Sequence, residues 1–349
     1  MRLARPFILT FLLAVAAAAD QWTAVSPVDG FGYYVIAADP HDRNILYADA
    51  ADGRQLWKSD DAGRTWRSTT LTASAGFTAV TVESARPGGV TALYVFADIF
   101  VARSATGGAT WTTRQFFPPV SGVANGVAVD AIKPDVLYMS ISRVCIGSCT
   151  RGGVIKSTNG GNNWSGVLAD VTVSQVITDP VTSDIVYAVT PAGVQRSLDG
   201  GASWRAIGPP IGEMLLVDPT AGMTLYLFSR SSIYRSDDRG ETWLPVLGFR
   251  PAAWEVSGFF GGAIHPNDRS TLVVNKGIGG LFRSRDGGSS WEALRAGLDA
   301  PFNPGLTAPM RQVVYTADGT LWASSLVVGL HVLKPDEAAP PSRRRAIAH

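Results

Sequence analysis

The sequence is poor in charge, histidine and cysteine. Only 17% of the 349 residues are charged and the formal net charge is +1, so the composition gives no indication of a nucleic-acid partner. The four histidines are scattered without metal-binding spacing, and no phosphate-binding glycine loop or G-x-S-x-G motif occurs. We therefore expect neither a metal nor a cofactor. Beyond the N-terminus no apolar run is long enough to cross a bilayer, so we expect no transmembrane span. We also expect a monomer.

The first 19 residues are typical of an export signal. Arg2 and Arg5 precede an apolar run of 13 residues, and the small residues Ala17 and Ala19 stand just before Asp20. This run is shorter than the roughly 20 residues that a membrane-spanning helix needs. We therefore predict that residues 1–19 are cleaved and that the protein is secreted or periplasmic.

An eight-residue pattern, Ser-x-Asp-x-Gly-x-(Thr/Ser)-Trp, recurs six times and is called the box below. The copies span 59–66, 104–111, 157–164, 197–204, 236–243 and 284–291. Glycine can adopt positive φ, and Ser and Asp side chains can bond to nearby backbone amides, so the pattern predicts a tight turn between two strands. Thr106 and Asn159 replace the Asp in two copies, which a turn tolerates and a catalytic acid does not. Four copies keep every residue of the pattern: Ser59, Asp61, Gly63, Trp66; Ser197, Asp199, Gly201, Trp204; Ser236, Asp238, Gly240, Trp243; Ser284, Asp286, Gly288, Trp291.

A second repeat shows that there are seven units. Short strands such as ILY, ending at Tyr47, and VLY, ending at Tyr138, recur in phase with the boxes, and a seventh ends at Trp322 without a box after it. The segment QWTAV at 21–25 matches the strand that follows each box. Tryptophans at the box position are 39 to 53 residues apart, the length of a four-stranded propeller blade. The sequence therefore predicts an all-β, seven-bladed propeller over residues 20–334, closed by the N-terminal strand in the last blade. The tail, 335–349, is rich in proline and carries three consecutive Arg near its end, so we expect it to be disordered.

These boxes resemble those of the Asp-box (BNR-repeat) propellers, which include sialidases, xyloglucanases, sortilin-type receptor domains and photosystem II assembly factors. The resemblance covers almost the whole chain after the signal. It implies a propeller whose boxes lie away from the functional face, and it leaves the activity open because this fold carries both enzymes and binding proteins.

Recognition is expected on the face opposite the boxes, where the connections are longest. The connections that enter the sixth and seventh units hold GFRPAAWEVSGFF and AGLDAPFNPGLTAPM. Trp254, the one tryptophan outside the repeat, suits stacking on a sugar or anchoring a peptide, although it fits local packing as well. We predict a ligand site formed by Trp254, Arg250, Glu255, Phe302 and Arg54.

The third unit carries a long insertion between its second strand and its box. This segment, Ser142 to Gly153, contains both cysteines of the chain, Cys145 and Cys149. In an exported protein we expect them to form one disulfide that stiffens the loop, although direct contact with a ligand is also open.

The function expected from this pattern is a non-catalytic scaffold that binds a glycan or an exported protein. The alternative is a glycoside hydrolase. In xyloglucanases a catalytic Asp lies in a first-blade stretch like YARTDIGGAYR, which YADAADGRQLWKS resembles with Asp52 one residue out of register. Such chemistry needs a second carboxyl, for which Asp98, Glu255 and Asp299 are candidates. The (F/Y)RIP segment usual in sialidases is absent. An assembly chaperone is a third possibility.

Overall fold

The computed structural model describes residues 21–25, 36–49, 54–72, 77–84, 91–97, 100–115, 124–146, 148–229, 232–246, 258–276, 280–294, 298–300, 303–307, 310–325 and 328–333. These residues form strands and turns without an α-helix. Among them, therefore, no helix has the length and apolar character that crossing a membrane requires.

Apart from one two-stranded hairpin, the strands form seven four-stranded antiparallel sheets, with strands A to D running from the centre outwards, and six of the seven are made of consecutive strands. A first strand, β1 (Thr23–Ala24), precedes them. Blade 1 is β2 (Ile36–Ala38), β3 (Leu46–Asp49), β4 (Gln55–Ser59) and β5 (Arg67–Thr72). Blade 2 is β6 (Phe77–Ser84), β7 (Thr91–Ala97), β8 (Phe100–Ser104) and β9 (Thr112–Gln115). Blade 3 is β10 (Ala124–Val129), β11 (Leu137–Ile146), β12 (Ser148–Ser157) and β13 (Ser165–Ala169).

The remaining blades follow the same order. Blade 4 is β14 (Gln175–Thr178), β15 (Val186–Thr190), β16 (Gly193–Ser197) and β17 (Arg205–Ile207). Blade 5 is β18 (Met214–Val217), β19 (Leu225–Phe228), β20 (Ile233–Ser236) and β21 (Leu244–Pro245). Blade 6 is β22 (Gly261–His265), β23 (Asp268–Asn275), β24 (Leu281–Ser284) and β25 (Glu292–Ala293). After a two-stranded hairpin of β26 (Asp299–Ala300) and β27 (Asn303–Thr307), blade 7 is β28 (Met310–Tyr315), β29 (Leu321–Ser325) and β30 (Gly329–Leu333), completed by β1.

The N-terminal strand closes the ring, which confirms the predicted architecture. Thr23 pairs with Val332 and Ala24 with His331, so β1 is the outer strand of blade 7. The inner strands of successive blades lie side by side, and β2 lies beside β28 as well as β6. Pairing the two chain ends within one sheet removes the open edge that an incomplete ring would leave.

The core lies between the blades because side chains of a strand alternate between its two faces. Leu46 packs with Trp322 of blade 7, whereas its neighbour Tyr47 packs with Leu93 and other residues of blade 2. Each apolar cluster therefore joins two adjacent blades, so every blade buries its apolar side chains against both of its neighbours.

Two irregular regions differ from the loops that the sequence suggested. The insertion of blade 3 extends β11 and β12 to ten residues each, pairing as far as Ile146 and Ser148. Cys145 and Cys149 are direct cross-strand partners in this ladder. The Cα atoms of such partners are about 4.5–5.5 Å apart, which a disulfide can bridge. Their side chains lie outside the described residues, so the disulfide stays a prediction. The second region is the hairpin of β26 and β27, which occupies a stretch expected to be an irregular connection. The export signal and the C-terminal tail also lie outside the described residues.

Candidate functional site

The two ends of the ring are distinguished by contacts between the boxes and the turns that join strands A and B. The amide of Gly160, in the blade 3 box, donates to the carbonyl oxygen of Asp135 at 2.9 Å, and that of Gly200 donates to Asp184 at 2.8 Å. The boxes and the A–B turns therefore share one end, here called the box face. The B–C and D–A connections lie at the other end, the loop face.

A repeated set of hydrogen bonds joins residues within each box. In blade 4 the amide of Gly201 donates to Ser197 Oγ at 2.7 Å, and Ser197 Oγ donates to Asp199 Oδ1 at 2.8 Å. Asp199 Oδ1 also accepts from the amide of Ser203 at 2.8 Å. The indole of Trp204 donates to the carbonyl oxygen of Gly201 at 3.1 Å. The box acid is thus saturated by its own turn.

The two boxes without an Asp keep the same geometry. Thr106 Oγ1 accepts from the amide of Thr110 at 2.8 Å, and Asn159 Oδ1 accepts from that of Asn163 at 2.9 Å. Any short side chain with an acceptor oxygen can fill this position. This supports the proposal that the boxes are structural.

Hydrogen bonding also lowers the pKa of the box acids. Donation from the hydroxyl and amide of Thr65 lowers the pKa of Asp61 to about 2. Equivalent bonds from Ser203 and Thr242 lower the pKa of Asp199 and of Asp238 to about 2. A general acid must hold a proton near the working pH, so these carboxylates are unsuited to acid catalysis.

Little of the predicted loop-face site falls within the described residues. In blade 1 strand β3 ends at the fully buried Asp49, and the B–C connection ends at Arg54, which is exposed. Asp52, Arg250, Trp254, Glu255 and Phe302 all lie outside the described residues. The structure therefore does not test whether these side chains come together, and their assignment stays a prediction.

The structure reveals a polar cluster that the sequence reasoning missed. At the loop-face end of strand B, Asp49 in blade 1, Asn275 in blade 6 and Ser324 in blade 7 are fully buried. The equivalent position holds a fourth buried polar residue, Ser140, in blade 3, and apolar side chains such as Phe96 in blade 2. The sequence does contain a signal for this cluster. When the strand-B repeats are aligned on the residue equivalent to Tyr47, the polar residues all stand two positions later. Burial of polar side chains requires partners. Blades 6, 7 and 1 are neighbours in the ring, so their three polar residues form one continuous stretch under the loop face, here called the polar layer.

Three further contacts lie close to this layer. Gln312 Oε1, on the inner strand of blade 7, accepts from the amide of Ile36 of blade 1 at 3.1 Å, and the amide of Gln312 donates to Ser324 Oγ at 3.2 Å. Lys276, 2% exposed, holds its ammonium 4.1 Å from the ring centroid of Phe259 in blade 6. The longest D–A connections lead into blades 6 and 7, and Asp52 belongs to the B–C connection of blade 1. Blades 6, 7 and 1 are thus the best-supported location for a site.

Within the described ranges no group of three or more His, Cys, Asp or Glu side chains could hold a metal ion. The polar side chains that do occur carry carboxylate, amide, hydroxyl and guanidinium groups. All of these groups can bind polar substrates, and the carboxylates can also transfer protons.

Comparison with known proteins relates the chain to carbohydrate-active propellers. No protein-family model matches it. It is 29% identical over 192 residues to a xyloglucanase of Paenibacillus sp, a match covering 43% of this chain and 18% of the relative. It is 29% identical over 144 residues to a probable oligoxyloglucan-reducing end-specific xyloglucanase of Neosartorya fischeri, covering 41% of this chain and 15% of the relative. The chain thus spans less than a fifth of the length of these curated relatives.

Solved structures with the same architecture include proteins of different kinds. The GH74 xyloglucanase of Xanthomonas campestris matches with a TM-score of 0.67 and 18% identity, over 92% of this chain and 54% of that one. YCF48 of Cyanidioschyzon merolae matches with a TM-score of 0.65 and 16% identity, over 91% of this chain and 100% of that one. At these identities the likeness establishes the seven-bladed fold alone.

Proposed function

We propose that this propeller belongs to a glycoside hydrolase that acts on a xyloglucan-type polysaccharide at its loop face, over blades 6, 7 and 1. The observation that carries the proposal is that the curated relatives matching this chain are xyloglucanases. It favours the hydrolase alternative over the scaffold that the sequence suggested first. The buried polar layer of Asp49, Asn275 and Ser324 supports the location.

The proposed chemistry uses two carboxyl groups. Hydrolysis with inversion requires them to lie about 6.5–9.5 Å apart so that a water molecule fits between one of them and the sugar. Asp52 is the proposed base, since it belongs to the connection between Asp49 and the exposed Arg54. The proposed acid comes from Asp98, Glu255 or Asp299. Arg54, Arg250, Trp254 and Phe302 are proposed to bind the substrate, the aromatic rings by stacking on sugars.

The test is sugar release from a panel of plant and bacterial polysaccharides that includes xyloglucan. We expect Asp52→Asn to abolish product formation while binding of the polysaccharide persists. The matched control is Asp60→Asn, because Asp60 is an exposed acid of the box face that binds Lys58 and Arg67. Absence of product from every polysaccharide with the wild-type chain rejects the hydrolase.

A non-catalytic scaffold is the second candidate, favoured by the YCF48 match, which covers the whole of that single propeller. This role predicts capture of a glycan or an exported protein without product. It also predicts weaker capture after Trp254→Ala or excision of 142–153. An assembly chaperone of this kind would co-purify with a membrane complex and bind no glycan.

We also propose that the protein is exported and cleaved before Asp20. N-terminal sequencing of material recovered from the periplasm or the medium tests this. A recovered chain beginning at Met1 would contradict it.

A further inference from the structure

A depression of about 400 Å³ lies on the box face between blades 2 and 3, far from the proposed hydrolase site. It is lined mainly by polar side chains: Arg103, Thr112, Arg114, Asp135, Asn159 and Asn162. No aromatic or aliphatic side chain lines it. A pocket of this size accommodates a small ligand, and this lining excludes an apolar one.

The two arginines of the depression are held differently. Arg103 Nε donates to Tyr94 Oη at 2.9 Å, and Arg103 Nη2 lies 2.8 Å from Asp135 Oδ1. Arg114 Nε donates to Asn162 Oδ1 at 2.5 Å and its Nη1 to the carbonyl oxygen of Thr113 at 3.3 Å. Within the described part of the chain, Arg114 therefore bonds to neutral oxygens, whereas Arg103 has a carboxylate.

The boundary between blades 4 and 5, here called a seam, has a comparable pair of arginines with a carboxylate in place. Arg205 there stands directly opposite its partner arginine, whereas Arg114 lies two residues further along its strand. Arg196 and Arg205, on the third and fourth strands of blade 4, both bind Glu241, the latter at 2.5 Å. Glu241 is the sixth residue of its box, as Asn162 is of the blade 3 box. The fold can thus place a carboxylate against a pair of arginines at this position. In the seam between blades 2 and 3 the chain supplies an amide instead.

We propose that this depression binds an acidic sugar, with the carboxylate of a hexuronate on Arg114. A guanidinium binds a carboxylate through two parallel charged hydrogen bonds, which is stronger than its bond to an amide oxygen. The hydroxyl of Thr112 and the polar groups of Asn159 and Asp135 suit the hydroxyl groups of the sugar ring. The inference is independent of the hydrolase proposal, since it involves the opposite face.

The experiment measures binding of D-glucuronate, D-glucose and acetate to the full chain by NMR titration. We expect glucuronate to bind more tightly than glucose or acetate. Arg114→Gln should weaken glucuronate about tenfold or more, because a charged hydrogen bond is lost. Asn162→Glu should weaken it similarly while keeping both arginines, because it supplies the carboxylate internally. The matched control is Arg205→Gln, the fourth-strand arginine of the seam that Glu241 already fills, and it should leave binding unchanged.

Three results would overturn the proposal. One is equal binding by wild type and Arg114→Gln. Another is acetate binding as tightly as glucuronate, since the sugar would then contribute nothing. The third is no saturable binding of glucuronate to the wild-type chain. A thermal unfolding curve for each variant separates loss of binding from loss of the fold.

Discussion

The acidic residue of each box acts through hydrogen bonds that its own turn provides. Asp61, Asp199 and Asp238 each accept from the amide and the hydroxyl of a residue four positions later. A carboxylate surrounded by donors is stabilised in its charged form, which explains the low pKa. The neutral Asn159 of blade 3 makes the corresponding amide bond, so the charge itself is dispensable to the turn.

This chemistry predicts how stability depends on pH. The folded-state pKa of Asp61, Asp199 and Asp238 is about 2, below the reference value of 3.8. Their contribution to stability is therefore present above about pH 4 and is lost as the pH falls towards 2. The triple variant that replaces all three by Asn should lose less stability over this interval than the wild type. Urea unfolding midpoints at several pH values measure the difference, and parallel curves would contradict the prediction.

A glycine of the first box is constrained by the neighbouring blade as well as by its own backbone. Gly63 has φ of 76°, and a Cβ atom there would lie 2.2 Å from Trp322 of blade 7. Gly288 has φ of 91°, but its nearest atoms would be 3.6 Å away. Both Ala variants are strained by positive φ, and only Gly63→Ala also overpacks. We expect Gly63→Ala to cost about 1–3 kcal/mol more than Gly288→Ala. Chemical denaturation of the two variants checks this. Equal losses of stability would show that the Trp322 side chain moves aside at no cost.

At the scale of strands, tyrosines on strand B fasten one blade to the next. Tyr94 Oη donates to the carbonyl oxygen of Pro134 in blade 3 at 2.7 Å, and Tyr138 Oη donates to Gly200 in the blade 4 box at 3.3 Å. Burial raises the pKa of Tyr94 to about 12, so its hydroxyl remains a donor at neutral pH. Each such bond ties a strand to a turn of the adjacent sheet.

Two of these tyrosines make a matched pair for measurement. Tyr94→Phe removes the bond to Pro134 and the acceptor of Arg103, and we expect it to destabilise the protein by about 0.5–1.5 kcal/mol. The buried hydroxyl of Tyr187 has no hydrogen-bond partner among the described residues. Tyr187→Phe should therefore be neutral or stabilising. The free energies of unfolding of the two variants decide, and an equal loss in both would mean that the hydroxyl of Tyr94 contributes nothing to the seam.

The strands and turns could be predicted from the repeat, whereas the contacts between blades could not. The hydrogen bonds within a box join residues that are four positions apart or fewer, so the turn could be inferred locally. By contrast, Tyr138 and Gly200 are 62 residues apart, and the repeat does not state which unit each side chain faces. The hairpin of β26 and β27 was missed because NPGLT carries two turn residues within a strand. The polar layer was missed because each member is a single substitution within an otherwise apolar motif.

For the whole molecule, stability depends on closing a ring whose last blade is shared by both chain ends. Strand β1 contributes only two residues to the sheet of blade 7. Trp22, immediately before it, is 3% exposed and packs with Val273, Leu298 and Leu321 of the seam between blades 6 and 7. Burial of this large side chain adds to the few backbone bonds of the closure.

Trp22 therefore offers a direct test of closure. Trp22→Ala should destabilise the protein by about 3–5 kcal/mol, because it opens a cavity in a buried seam. The control is Thr23→Ala at the adjacent exposed position, which should change stability by less than about 0.5 kcal/mol. Thermal and urea unfolding measure both. If Trp22→Ala costs no more than Thr23→Ala, the N-terminal strand does not hold the ring closed. If the cost is as expected, sugar release by Trp22→Ala should also decline at lower temperature than in the wild type, because the proposed site spans blades 6, 7 and 1.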